Sequence, residues 1–248
     1  PLISIVTVVY NGENTIAQCI ESIVSQDYPH VEYIVIDGNS KDQTMAIVNR
    51  YKHQISHIVS EPDKGIYDAM NKGVRLAKGE IVGILNADDF YPHSKVLQTV
   101  ANAFMESDIQ LFCASVGIFK AENFTRMWRY YDASKFKKWQ FILGMQPPHP
   151  ATFIRKKTYD TLGDYDPDFR ISGDFDLLVR MIYVNNLPVL YSKEVLVHMR
   201  DGGVSSKDFK SKIKMNSEDL RSLKKYKIKS YILLIWLKYF FKLLQLRS

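Results

Sequence analysis

Along the first hundred residues, blocks of apolar side chains change period. Ile3-Ser4-Ile5-Val6-Thr7-Val8-Val9 is a β-branched run that predicts a buried strand. Over 13–25, Ile16, Ile20, Ile23 and Val24 fall at the spacing of one helix face. Tyr33-Ile34-Val35-Ile36 predicts a second strand, 41–51 a helix, and His57-Ile58-Val59 a weak third strand. Ile66, Met70, Val74 and Ala77 mark another helix, and Ile81-Val82-Gly83-Ile84-Leu85 a fourth strand that runs into Asn86-Ala87-Asp88-Asp89. Strands alternating with helices imply an α/β fold with a mostly parallel central sheet flanked by helices.

The second half is less regular. A strand is expected over 110–119, and 123–141 is aromatic-rich and basic without a clear period. Gln146-Pro147-Pro148-His149-Pro150 predicts a rigid non-helical loop, because each Pro fixes its own φ and restricts the residue before it. A helix is expected over 174–184 with Leu177, Leu178, Met181 and Ile182 buried, then a strand over 195–199 and a turn at Asp201-Gly202-Gly203.

With 248 residues and 46% hydrophobic side chains, the chain can bury a real core, which excludes a disordered chain. Cys19 and Cys113 are too few for a disulfide scaffold and no Cys-x-x-Cys pair suggests zinc, so a reducing, cytosolic setting is expected. No charged stretch followed by an apolar run precedes the first strand, so no signal peptide is expected. The net charge of +6 is unevenly placed. Twelve Lys and Arg stand against three Asp and Glu from Lys207 to Ser248, whereas residues 1–206 hold 21 basic and 24 acidic side chains.

In an open parallel sheet, ligands gather at the carboxyl ends of the strands. Here those ends carry Asn11-Gly12, Asp37-Gly38, Glu61-Pro62-Asp63 and Asp88-Asp89. Two adjacent carboxylates repel unless a cation neutralises them. A hard divalent ion, Mn²⁺ or Mg²⁺, suits such oxygens and bridges to a diphosphate; the alternative is a solvated loop capping the next helix. Asp37 can accept hydrogen bonds from a base or ribose, though Asp-Gly also makes a plain turn. No Gly-x-Gly-x-x-Gly follows the first strand, where Val9-Tyr10-Asn11-Gly12-Glu13 stands, and no Gly-x-x-x-x-Gly-Lys-Ser/Thr occurs. Both a nicotinamide dehydrogenase and a P-loop nucleotidase are therefore disfavoured.

Several motifs taken together carry a family resemblance. They are Val8-Val9-Tyr10-Asn11-Gly12, Asp37-Gly38-Asn39-Ser40-Lys41-Asp42 and the run from Glu61-Pro62-Asp63 through Asn71-Lys72-Gly73. Lys78-Gly79-Glu80, Leu85-Asn86-Ala87-Asp88-Asp89, and Gly173-Asp174-Phe175-Asp176-Leu177 with Arg180 complete the set. The chain resembles a family 2 glycosyltransferase of the GT-A fold, of the bacterial polysaccharide or O-antigen type, strongly over 3–105 and moderately over 145–206.

The resemblance implies that residues 1–206 form one GT-A domain. Its half 1–105 would be Rossmann-like and bind the nucleotide-sugar, its half 106–206 would bind the acceptor, and a basic amphipathic helical tail would follow over 207–248. It implies that Val8 and Tyr10 line the base pocket beside Asn11, that Asp37 binds the uracil, and that Asp63 lies beside the nucleotide. Asp88 and Asp89 match the acidic metal-and-ribose motif, while Asn86 stands where many relatives carry its first Asp. His198 would be a third metal ligand, and Arg200 would face phosphate oxygens. The segment Gly202-Gly203-Val204-Ser205 resembles the one that closes over the diphosphate.

Asp174 matches the family's general base, a single carboxylate that takes the acceptor proton during inverting displacement. The plain alternative is a helix N-cap. Asp176 is the reserve on the acceptor side, and His149 lies in the loop expected beside the sugar; either His also suits a structural hydrogen-bonding role. The implied reaction moves a hexose from a UDP-sugar, with a divalent metal, to an undecaprenyl-diphosphate-linked saccharide in O-antigen or capsule assembly. A nucleotidyltransferase that makes sugar nucleotides and a non-catalytic sugar-nucleotide-binding module are the competing readings.

The tail mixes cations with Ile232, Leu233, Leu234, Ile235, Trp236, Leu237, Tyr239, Phe240 and Phe241. Its uncharged stretch of 230–237 is far short of the roughly 20 residues that span a bilayer. An amphipathic helix lying on the cytoplasmic face of the bacterial inner membrane is expected, and packing on the body or on a homodimer partner is the alternative. Nucleic acid is not an expected partner, because the cations sit beside apolar residues and the body is acidic.

Overall fold

The computed structural model describes residues 1–120, 123–202 and 209–243. The parallel half opens with β1 (Ile3–Val9), α1 (Ile16–Val24), β2 (Val31–Asp37), α2 (Thr44–Arg50), β3 (His57–Ser60), α3 (Ile66–Leu76) and β4 (Ile81–Ile84). It continues through α4 (Val96–Glu106), β5 (Leu111–Lys120), β6 (Asn123–Tyr131), β7 (Thr152–Arg155), α5 (Lys156–Leu162), α6 (Gly173–Leu178) and β8 (Val189–Arg200). The last helices are α7 (Phe209–Lys225), α8 (Ile232–Trp236) and α9 (Lys238–Leu243).

The strands form one sheet in the order β3-β2-β1-β4-β7-β5-β6, with β8 paired to β5. The first four strands are parallel. β7 runs antiparallel to both β4 and β5, β6 antiparallel to β5, and β8 parallel to β5. The expected α/β architecture is present. Both faces are covered, which explains why the parallel strands read as continuous apolar runs. Ile3, Ile5 and Val9 of β1 pack with α1 and α4, while Val6 and Val8 pack with α3 and α6. Gly73 permits the second contact: a Cβ there would stand 2.2 Å from Val6 Cγ1.

Where the chain departs from its sequence pattern, the departures lie in the second half. Residues 123–141 give β6 followed by 3-10 turns at Ala133–Lys135 and Lys138–Leu143. The Pro-rich loop is not wholly non-helical, since His149–Ala151 closes a single 3-10 turn with Pro150 inside it. Pro is tolerated in a first turn, where its missing N–H has no partner to lose. The helix expected over 174–184 is α only as far as Leu178 and widens to π winding over Val179–Val184.

Residues 209–243 pack on this body. Leu223 of α7 and Ile235 of α8 join the core that α3 and α6 share. Lys238 Nζ lies 2.6 Å from Asp219 Oδ2, and both side chains are buried. Tyr231, Leu233, Leu237 and Phe240 remain exposed on the outer side. Among the described residues no helix is long and apolar enough to cross a membrane. Residues 203–208 and 244–248, with the Gly203-Val204-Ser205 segment, lie outside the described residues.

Candidate active site

Register brings the acidic strand ends to one edge: Val9 lies beside Asp37, and Asp37 beside Ser60. The loops that follow touch one another. The Asn11 N–H donates to Ser40 Oγ (2.8 Å), the Lys41 N–H to Asn11 Oδ1 (2.8 Å), and the Gly12 N–H to Thr44 Oγ1 (2.8 Å). Asn11 takes a positive φ of 50° to make this turn. Val8 is buried below it, and Tyr10 is 64% exposed. Tyr10 and Asp63 close on Gly38 from two sides: a Cβ there would meet Asp63 Oδ2 at 2.4 Å and Tyr10 Cδ2 at 3.4 Å.

Asp37 reaches this edge but is fully buried. It accepts from the Ser40 N–H (3.1 Å) and from the hydroxyls of Ser40 (2.5 Å) and Ser60 (2.6 Å). Its place is therefore that of an anchor beneath the Gly38 turn. Asp63 accepts from the Gly65 N–H at 2.8 Å, which fixes the entry to α3.

On the other side of β1, the Asp88–Asp89 loop meets β8. Phe90 and His198 exchange backbone hydrogen bonds of 3.1 and 2.9 Å. Burial raises the Asp88 carboxyl above its ordinary value, with the Arg200 charge pulling against it. Asp89 is pushed well above that value by burial and then by the Asp88 charge. Hydrogen bonds from the Asn86 side chain and the Arg200 backbone oppose this only in part. Arg200 donates to the Gln18 side chain and lies 5.9 Å over the Phe90 ring. The His198 ring does not join the carboxylates; it packs against Phe90 and Phe119 at 5.3 and 4.4 Å, and burial lowers its pKa.

Whether the loop suits a divalent ion rests on its oxygens. Asn86 Oδ1 and Asp89 Oδ2 are buried and find no hydrogen-bond partner among the described residues, and Asp88 is partly exposed beside them. Among the described residues no three His, Cys, Asp or Glu side chains gather as a metal cage. The set fits a hard ion that takes one or two carboxylates and leaves its other positions to water and phosphate.

The second half brings Asp174 to the same edge. Its Oδ1 lies 3.0 Å from the Tyr67 hydroxyl, which is also 2.5 Å from the Ile171 carbonyl oxygen. Its Oδ2 accepts from Gln146 Nε2 at 2.6 Å. Burial, then the Asp174 charge, hold the Tyr67 phenol protonated well beyond its ordinary range, so it remains a donor. Asp174 is partly exposed. Arg170 joins this segment to the Asp63 loop, its Nη1 donating to the Lys64 carbonyl at 2.8 Å.

Two expected acceptor-side residues are placed elsewhere. Asp176 is fully buried on the opposite side of α6, bonded to Ser222 Oγ (2.9 Å), Lys225 Nζ (3.0 Å) and the Tyr226 hydroxyl (3.2 Å). Two residues along a helix turn a side chain to another face. His149 is buried with Nε2 2.7 Å from the Tyr165 hydroxyl, so it braces the Pro loop behind the site. Tyr67 and Gln146 had no predicted role. Their signals were faint: an aromatic in the first turn of a helix, and an amide before two prolines.

A parallel half-sheet with acidic loops at its carboxyl edge, completed by a carboxylate from a mixed second half, is the build of the GT-A class. The sequence pattern of "Glycosyl transferase family 2" matches residues 4–165, and the chain belongs to that family. A PGL/p-HBAD biosynthesis glycosyltransferase of Mycobacterium tuberculosis is 28% identical over 225 residues, which span 88% of this chain and 86% of the mycobacterial protein. Among solved structures, residues 1–349 of S. aureus TarS match with a TM-score of 0.69 at 18% identity, covering 97% of this chain and 72% of that one. TarS has also been crystallised with UDP-GlcNAc. The mannosyltransferase PcManGT of Pyrobaculum calidifontis, in complex with GDP-Man and Mn²⁺, matches with a TM-score of 0.65 at 18% identity, covering 89% of this chain and 64% of that one.

Proposed function

We propose that this chain is an inverting glycosyltransferase that moves a hexose from a UDP-sugar to a hydroxyl of a lipid-linked saccharide, with Asp174 as the base. One observation carries the reading: Asp174 is held at both oxygens, by Tyr67 and Gln146, and stays partly exposed at the edge where the acidic loops meet. Asp176 is buried in an ion pair and unsuited to the same task.

The chemistry asks little else of the protein. As the acceptor oxygen attacks the anomeric carbon, Asp174 takes its proton and the bond to the diphosphate breaks with its electron pair leaving on UDP. Attack opposite the leaving group inverts the anomeric centre. Tyr10, Asn11 and Asp63 line the nucleotide side, and Arg200 faces the diphosphate. A divalent ion, when bound, would be held through Asp88, with Asn86 and Asp89 behind it, and would neutralise charge on the departing diphosphate. The Mn²⁺ and the UDP-GlcNAc in the two structural neighbours support this donor chemistry.

The acceptor reading rests on the tail. Exposed Tyr231, Leu233, Leu237 and Phe240, flanked by exposed Lys224, Lys227 and Lys229, suit an anionic lipid surface. A membrane-borne acceptor of the O-antigen or capsule type, at the cytoplasmic face of a bacterial inner membrane, is consistent with that face.

The test is UDP release from a series of UDP-hexoses with Mn²⁺. Asp174→Asn is expected to bind UDP normally and to lose about 10²–10⁴-fold in turnover, the usual contribution of a general base. EDTA is expected to abolish turnover. Wild-type turnover in Asp174→Asn rejects the base, and full activity in EDTA rejects the metal.

A further inference from the structure

We propose that Glu218, on α7, is a positioning residue for the transfer, setting the backbone from which Asp174 projects. This rests on the reading of Asp174 as the base. Glu218 lies outside every motif of the family resemblance and beyond the matched residues 4–165.

The geometry is specific. Glu218 as a residue is only 8% exposed, and its carboxylate accepts from three consecutive backbone N–H groups: Arg170 (3.1 Å), Ile171 (2.8 Å) and Ser172 (3.0 Å). Ser172 Oγ donates to the Met215 carbonyl, also on α7, at 3.2 Å. Two residues beyond Asp174, Asp176 is tied to Ser222, Lys225 and Tyr226 of the same C-terminal segment. One helix thus fixes the chain on both sides of Asp174. Further polar ties of the segment include Tyr67 to the Ile171 carbonyl, Arg170 to the Lys64 carbonyl and the Asp176 N–H to the Ser172 carbonyl (3.0 Å).

A carboxylate is the group the position requires. Buried N–H groups without partners are costly, and an ionised acceptor makes stronger hydrogen bonds than a neutral one. Two carboxylate oxygens can serve three donors at once; one amide oxygen serves them less well. Removing the carboxylate frees 170–172 to shift, and Asp174 moves with them. Misplacing a reacting group by even an ångström is expensive in rate. The larger loss belongs in turnover, because Glu218 holds 170–172 directly and reaches the Asp63 loop only indirectly, through the exposed contact of Arg170 with the Lys64 carbonyl.

The experiment compares the wild-type 248-residue chain with Glu218→Gln, Glu218→Ala, Asp174→Asn and the core control Leu223→Ala. Three readouts are taken: UDP release from UDP-glucose, UDP-galactose or UDP-N-acetylglucosamine, Kd for UDP, and hydrogen exchange at amides 170–172. Glu218→Ala is expected to lower kcat about a hundredfold and Glu218→Gln about tenfold, with KM for the donor and Kd for UDP within about twofold of wild type. Amides 170–172 exchange faster in both, whereas Leu223→Ala loses stability and keeps its kcat. Should Glu218→Ala not fold, Glu218→Gln decides alone. Wild-type kcat in a Glu218 variant whose amides have loosened overturns the proposal, as does a matching fall in kcat for Leu223→Ala. If Asp174→Asn keeps its turnover, the base reading falls first; if only the Glu218 variants keep theirs, this inference alone is lost.

Discussion

The Tyr67 hydroxyl stands 3.0 Å from Asp174 Oδ1, although 107 residues separate the two in the chain. Tyr67 comes from the first turn of α3, at the carboxyl edge of the parallel half, and Asp174 from the first turn of α6. Their contact joins the two halves at the carboxylate proposed as the base.

Removing that hydroxyl tests whether orientation of the base contributes to rate. Tyr67→Phe keeps the buried ring, which stacks on Tyr165 at 5.7 Å, so packing is preserved. A hydrogen bond to a charged group contributes about 1.5–3 kcal/mol. If about half of this acts in the transition state alone, kcat falls roughly four- to thirteenfold with the donor KM unchanged. Steady-state kinetics check this. A rise in KM at constant kcat would assign Tyr67 to donor binding instead.

Gly38→Ala probes the nucleotide side. The added methyl would stand 2.4 Å from Asp63 Oδ2, closer than real contacts allow, so Asp63 must move. The carboxylate is held by the Gly65 N–H and sits in the loop that leads into α3, so its displacement disturbs the surface that Tyr10 and Asp63 form around Gly38. UDP affinity is expected to fall by about tenfold, or ~1.4 kcal/mol, with the fold intact. Isothermal titration measures it. Unchanged affinity would place the nucleotide away from this turn.

How far the sequence foretells this arrangement depends on which contacts are local. The strands β1 to β4 and the helices between them declare themselves through apolar runs and helical spacing, because both sheet faces are covered. Their acidic ends share an edge because parallel strands must. The helix α4 goes unpredicted although Val96, Leu97, Val100, Ala101 and Phe104 hold helical spacing. The strand β7 has only four residues, Thr152–Arg155, and its antiparallel pairing with β4 and β5 leaves no local mark. The place of Asp174 at the start of a helix is legible in the sequence and its partners are not, since Gln146 reaches it across 28 residues and Tyr67 across 107. Helical phase alone already separates Asp176 from Asp174. The tail shows a limit of another kind: amphipathic spacing says that one face is buried, not against what. In the structure Leu223 and Ile235 face the body, and a second apolar set remains outside.

His149 gives a pH dependence with a definite sign. Burial lowers its pKa below the usual 6.5, with the Asp174 charge opposing only in part. The unfolded chain therefore takes up this proton first as pH falls. Stability from this group is fully present above about pH 6.5 and is lost as pH drops toward the folded value. His198, lowered by burial in the same way, adds to the slope. Urea midpoints at pH 7.5 and pH 5 are expected to differ more in wild type than in His149→Gln, even if the variant is less stable at both. An equal pH slope in the variant would mean that His149 takes up its proton as readily folded as unfolded.

The exposed face of the last helices yields the prediction on which the acceptor reading turns. Leu233 is 77% exposed, Tyr231 69% and Phe240 64%, on a segment whose other side, through Ile235, is fixed in the core. That fixation matters, because the segment need not be ordered on binding, and the exposed apolar groups keep their full favourable transfer. Exposed Lys224, Lys227 and Lys229 precede them, and a cation near an anionic leaflet contributes about 1 kcal/mol. The 248-residue chain is expected to float with vesicles rich in phosphatidylglycerol and to stay behind with neutral ones. Leu233→Glu with Phe240→Glu should abolish flotation. Replacing Lys227 and Lys229 by Gln should weaken it by roughly fivefold per cation and remove much of its salt sensitivity. UDP release into water should be unchanged in all of these variants, since the substituted side chains face away from the core that holds α6. If the double Glu variant floats as wild type does, the lipid surface is held elsewhere. If wild type instead sediments as a dimer that the same variant dissociates, the face belongs to a second copy of the chain and the membrane-borne acceptor loses its support.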